Sequence, residues 1–129
     1  TTSPDMGAQI YFCAMEVIYT PRYNKNNKKR IQRSGRGPRL KRIIAKVIDN
    51  PESGDLKNPF LNCTQGSALV KSFEEAEKLL GGKVFLRSMK FEKKRYSAVY
   101  AHDAEMNTLI FLDVGDHKHL YSGGGWVAP

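Results

Sequence analysis

The stretch FLDVGDHKHLYS, residues 111–122, holds an unusual concentration of reactive side chains. His117 and His119 stand two apart with Lys118 between them, Tyr121 follows, and Asp113 and Asp116 precede them. Imidazole exchanges protons near neutral pH because its ordinary pKa is about 6.5. Either aspartate can orient a histidine or simply end a strand. The bland reading of His117 is a solvated loop histidine at a strand exit. Arg87, Lys90 and Arg95 lie on two neighbouring predicted strands that lead toward this region. Arginine offers a planar fork to an oxyanion and lysine a point charge, so these three are the candidates for stabilising a negative charge beside the histidines.

A second concentration is electrostatic. The 129 residues carry 21 Lys and Arg against 13 Asp and Glu, a net charge of +8. Between Arg22 and Lys46 stand Arg22, Lys25, Lys28, Lys29, Arg30, Arg33, Arg36, Arg39, Lys41, Arg42 and Lys46, with no acid among them. The rest of the chain is slightly acidic. One segment therefore makes the positive field, which points to a polyanion, either nucleic acid or an acidic protein. Lys28, Lys29, Arg30, Arg33, Arg39, Arg42 and Lys46 are its candidate RNA contacts, joined by Lys90.

The elements that must position these groups can be read from pattern. QIYFCAMEVIYT, rich in aromatic and β-branched residues, predicts a strand over about 10–19 that Pro21 closes. RYNKNNKKRIQRS predicts a first helix, and GRGP at 35–38 a break. PRLKRIIAKVIDN predicts a second helix with Leu40, Ile43, Ile44, Val47 and Ile48 on one face. LKNPFLNCTQGS reads as a loop. SFEEAEKLLGG predicts a short helix over about 72–80, capped by Ser72 with Glu75 completing a capping box and stopped by Gly81 and Gly82. Residues 83–91, 95–103 and 107–115 predict three strands in a meander, with DAEMN as a hairpin turn. The expected fold is α+β: a small, curved, mainly antiparallel sheet packed on one face against two N-terminal helices, with the extra short helix inserted.

Length suits one domain over 1–129, with 1–8 and 123–129 expected to be flexible and Met15 offering an alternative start. The apolar fraction of 40% is ordinary, and no run approaches the roughly 18 apolar residues of a membrane span. The N-terminus lacks the pattern of a signal peptide. Cys13 and Cys63 are far apart without CxxC partners, so no zinc site is expected; one disulfide and two packed thiols both fit. No cofactor or metal motif is present. The expected compartment is the cytoplasm.

Three pieces, taken in order, resemble the RelE/ParE toxin superfamily. MEVIYTPRYNKNNKKR resembles its opening strand and first helix. AKVIDNPESGDLKN resembles the second helix and the turn after it. RYSAVYAHDAEMNTLIFLDVGDHKHLY resembles the paired strands that end in a histidine and an aromatic residue. The resemblance covers about 15–60 and 83–122; residues 61–82 depart from it. It implies a toxin of a toxin–antitoxin pair. The RelE-like branch cleaves messenger RNA, typically on the ribosome, without a metal or other cofactor; the ParE-like branch poisons DNA gyrase.

By this resemblance His117 is the general acid and Tyr121, four residues on, stacks on or orients a base. Arg95 and Arg87 become phosphate candidates, and His119 has no clear equivalent. The family's arginine after the tyrosine matching Tyr96 is replaced here by Ser97, and Arg95, two residues earlier, is the substitute considered. The implied partners are messenger RNA, the ribosome and an acidic antitoxin. A gyrase inhibitor would not need the His117–Tyr121 pair. A non-catalytic RNA-binding module of the same fold is the other alternative.

Overall fold

The computed structural model describes residues 15–57, 68–81, 84–93, 95–116 and 119–120. The first part of the expected strand over 10–19, most of the expected loop and both chain ends lie outside them. In chain order the elements are β1 (Glu16–Tyr19), α1 (Pro21–Asn26) continuing as a π-helical segment (Asn27–Gln32), α2 (Gly37–Asp49), β2 (Asp55–Lys57), α3 (Ala68–Leu80), β3 (Leu86–Phe91), β4 (Tyr96–Asp103) and β5 (Thr108–Asp116). The strands form one sheet in the order β1-β5-β4-β3-β2. β1 runs parallel to β5 and the other pairs are antiparallel.

Local chemistry explains the helical boundaries. Thr20 caps α1 by accepting the Tyr23 backbone N–H at 3.2 Å, and its hydroxyl donates to the Leu112 carbonyl at 3.0 Å. The cap thus fastens α1 to the middle of β5. The π-helical segment ends where the Arg36 N–H reaches the Ile31 carbonyl and the Gly35 N–H the Gln32 carbonyl. That double closure needs a left-handed residue, which Gly35 supplies at φ +77°. Pro38 sits in the first turn of α2, as expected.

Leu40 and Val47 of α2 are buried, and Ile43 and Ile44 pack against the same core. Ile48 remains 38% exposed, so the apolar face is narrower than its spacing suggests. This core also holds Tyr23, Ile31, Phe91, Ala98, Tyr100, Leu109, Phe111 and Val114, with the Phe111 ring 5.4 to 5.8 Å from those of Tyr19, Tyr23 and Tyr100.

Two expectations need correction. Leu56 and Lys57 belong to an edge strand rather than a loop, pairing with Arg87 and Leu86; β3 would otherwise leave that row of backbone groups unpaired. Ser72 does not cap α3. The helix begins at Ala68, and Ser72 is buried within it. Leu69 and Ala76 of α3 pack with Leu86, Val99, Ala101, Ile110 and Leu112 as a second core on the opposite face of the sheet. With both faces covered, β5 is buried at every residue from Thr108 to Gly115. The expected stop holds: Gly81, at φ +73°, donates to the Glu77 carbonyl.

Candidate active site

β1 ends at Tyr19, opposite Phe111, so β5 continues beyond its parallel neighbour. The chain turns at Thr20 and lays α1 along the edge thus left open. Within this stretch β5 carries a bulge: Val99 faces Asp113 and Tyr100 faces Phe111, leaving Leu112 without an opposite residue. The shift makes Val114, not Asp113, the next residue of the core under α1 and α2.

Asp113 is fully buried. Its Oδ1 accepts the Asn26 side-chain amide at 2.8 Å and the Val114 backbone N–H at 2.7 Å. His119 Nε2 lies 3.2 Å from both carboxylate oxygens. These donors satisfy the carboxylate, as a charge withdrawn from water requires. A carboxylate only accepts, and Asn26 Nδ2, 3.2 Å from the same imidazole nitrogen, is itself a donor. The network therefore assigns the proton to Nε2 and leaves Nδ1 as the imidazole's acceptor.

Two further contacts seat the ring. The His119 backbone N–H donates to Asp116 Oδ1 at 2.8 Å. A Cβ at Gly115 would stand 2.5 Å from His119 Cδ2, so only glycine lets the imidazole lie where it does. The Cδ2 edge rests on Gly115, which turns the Nδ1 edge away from the strand.

Gly115 pairs with Ser97 and Ser97 with Lys90, a single row across three strands on the face that also carries Val99. Lys90 is exposed at the end of that row. Arg95 is exposed at the tip of the β3–β4 hairpin, its backbone N–H on the Glu92 carbonyl, one residue before Tyr96, which pairs with Asp116. The hairpin tip and the exit of β5 are therefore at one end of the sheet. Glu92 anchors the tip to α2 through Arg39 and, at 3.8 Å, Arg36, whose guanidinium also stacks 4.7 Å from the Tyr96 ring centre.

The expected site residues separate accordingly. His119, Arg95 and Lys90 share this end of the sheet. Arg87 does not join them. It pairs with Tyr100 and points to the face covered by α1 and α2, where Nη1 donates to the Gly54 carbonyl at 2.9 Å and the Glu52 carbonyl at 3.2 Å. Arg39 is engaged with Glu92. Lys28, Lys29, Arg30 and Arg33 are exposed immediately after Asn26, and Arg42 and Lys46 are exposed on α2. His117 and Tyr121 lie outside the described residues.

Asn26 was not legible as a site residue, because its partner stands 87 positions away. Gly115 did leave a signal: a glycine inside an apolar strand marks a close approach. Among the described residues no group of three metal-ligating side chains occurs.

No protein-family model matches this sequence, and neither does any curated protein sequence. Among solved structures, the chain is similar to the isolated E. coli RelE toxin, at 17% identity and a TM-score of 0.49 over 80% of this chain and 84% of that one. It is also similar to the intact E. coli RelBE toxin–antitoxin complex, at 17% identity and a TM-score of 0.47 over 80% of this chain and 96% of the matched one. The likeness is one of fold.

Proposed function

We propose that this chain is the toxin of a toxin–antitoxin pair and cleaves messenger RNA, on the ribosome, by attack of the 2′-OH on the neighbouring phosphorus. The observation that carries this reading is the Asn26–Asp113–His119 constellation. A buried carboxylate fixes one imidazole at the exit of a strand, in a chain whose segment from Arg22 to Lys46 carries eleven cations and no acid.

In this reading His119 takes the 2′-OH proton at Nδ1, and Asp113 stabilises the imidazolium that results. The 2′-oxygen bonds to phosphorus and the P–O5′ bond breaks. His117, by the resemblance, protonates the departing 5′-oxygen, and Tyr121 stacks on a base. Lys90 and Arg95, at the same end of the sheet, supply positive charge to the phosphate. The products are a 2′,3′-cyclic phosphate and a 5′-hydroxyl. No step needs a metal or a cofactor.

The basic helices supply an RNA- and ribosome-binding face. A groove of about 290 Å³ between α1 and α2, lined by Tyr19, Tyr23, Asn24, Asn27, Lys41 and Ile44, offers an acidic antitoxin a mainly apolar lining with one cation, Lys41. Such a partner belongs in the cytoplasm with the ribosome.

The test is primer extension on translated messenger RNA after expression of the chain alone and with the small gene beside its own. Cuts in the first case, suppressed in the second, are expected, together with growth arrest and rescue. Harmless expression of the folded chain, with no cuts, would leave a non-catalytic RNA-binding module. Inhibition of supercoiling without cuts would indicate a gyrase inhibitor.

A further inference from the structure

Arg22 has no role in the site as built so far, yet it shares a short helix with Asn26, which belongs to that site. It is the second residue of α1, one helical turn before Asn26, and residues four apart share a helix face. Asn26 lies within hydrogen-bond distance of both Asp113 and His119. The Nε of Arg22 is withdrawn from water and has no hydrogen-bond partner. The Nε of Arg36 is likewise without a hydrogen-bond partner, but that guanidinium lies 3.8 Å from Glu92 and stacks on Tyr96, and Arg39 is engaged by Glu92, so both have an anion beside them. Asp113 is not its partner: the hydrogen bonds of that carboxylate come from Asn26, Val114 and His119.

A guanidinium donor buried without an acceptor costs stability unless something arrives to accept it. The planar fork of arginine fits phosphate oxygens two at a time, and it keeps its charge when desolvated. We propose that Arg22 binds the scissile phosphate at the Asp113–His119 site. This rests on the endonuclease reading. It also answers the replacement of the family's arginine by Ser97: the guanidinium comes from the first helix, across the open edge of β5.

The test has one arm that does not depend on cleavage. The Nε–H of Arg22, held out of water, should give a nitrogen–proton NMR resonance that Arg22→Lys removes. Inorganic phosphate, and then an RNA oligonucleotide with 2′-deoxyribose at the cut position, should shift it. In single-turnover cleavage Arg22→Met should lose about 10²–10³-fold, mostly in the chemical step rather than in KM, as removal of an oxyanion donor does. Its Tm should not fall, because the substitution deletes an unsatisfied donor while keeping the stem. If Arg22→Met does not fold, Arg22→Lys carries the kinetic test. A resonance that neither probe moves, or variants that cut at the wild-type rate, would overturn the assignment. If the wild type cuts no RNA, the endonuclease reading fails, and the phosphate titration still decides whether Arg22 binds the anion.

Discussion

Asn26 donates to Asp113 Oδ1 across 2.8 Å, joining the first helix to the last strand. One amide thus orients the carboxylate that orients His119, and the three residues act as a unit.

Asp113→Asn preserves shape and removes charge. An amide can turn its NH2 toward Nε2 and select the other tautomer, which places a proton on Nδ1 where the acceptor is needed. Cleavage should fall by about 10²–10⁴-fold, the usual worth of general acid–base catalysis. Far-UV circular dichroism should be unchanged. Wild-type rates in this variant would reduce Asp113 to a structural group.

Gly115→Ala tests the seat of the imidazole. The added methyl would meet the ring at 2.5 Å, in a strand paired at this position with Ser97. Either the ring or the strand must move, and overpacking of this kind costs about 1–3 kcal/mol. Urea denaturation should show that loss. Cleavage should drop further than stability accounts for at temperatures where the variant is fully folded.

Both the fold and this seat were partly legible in the sequence. The spacing of Leu40, Ile43, Ile44 and Val47 identifies α2, and Gly81 its neighbour's end, because each signal is local. β2 escaped detection because three polar-flanked residues carry no period of their own; the unpaired edge of β3 makes them a strand. Ser72 looked like a cap because the run LVK before it carries no local start signal, whereas Leu69, packed on the second core, draws the helix back to Ala68. His119 was legible as a type of residue. Its partner Asn26 was not, since only the folded edge of β5 brings them together.

Tyr100 gives the fold a testable alkaline limit. Its hydroxyl donates to the Pro51 carbonyl at 2.6 Å and accepts the Gly54 N–H at 3.0 Å. Burial raises its pKa above the ordinary 10.0, outweighing the lowering effects of the Gly54 bond and of Arg87. The folded state therefore holds this proton more tightly than the unfolded state. The stability this contributes is complete below pH 10 and is lost as pH rises from there through the folded pKa. Tyr100→Phe should cost about 1–3 kcal/mol at neutral pH, by leaving the Gly54 N–H unpaired. It should also flatten the alkaline fall of Tm. An equal fall in both proteins would shift the cause elsewhere.

Salt dependence separates the exposed cations from the engaged ones. Replacing Lys28, Lys29, Arg30 and Arg33 with glutamine should lower the log–log slope of RNA binding by about 0.7 for each lost phosphate contact. Arg39→Gln should change it less, because that guanidinium already serves Glu92. Filter binding of single-stranded RNA at several potassium chloride concentrations gives both slopes.

The most direct measurement is single-turnover cleavage of an end-labelled messenger RNA, on stalled ribosomes and free, with a chelator present, by the wild type and by His119→Ala. The wild type should cut and leave a 2′,3′-cyclic phosphate, while His119→Ala should bind the RNA with unchanged affinity and cut about 10²–10⁴-fold more slowly. Cleavage by His119→Ala at the wild-type rate, or a wild type that binds RNA and leaves it whole in every condition, would contradict an active site built on Asp113 and His119.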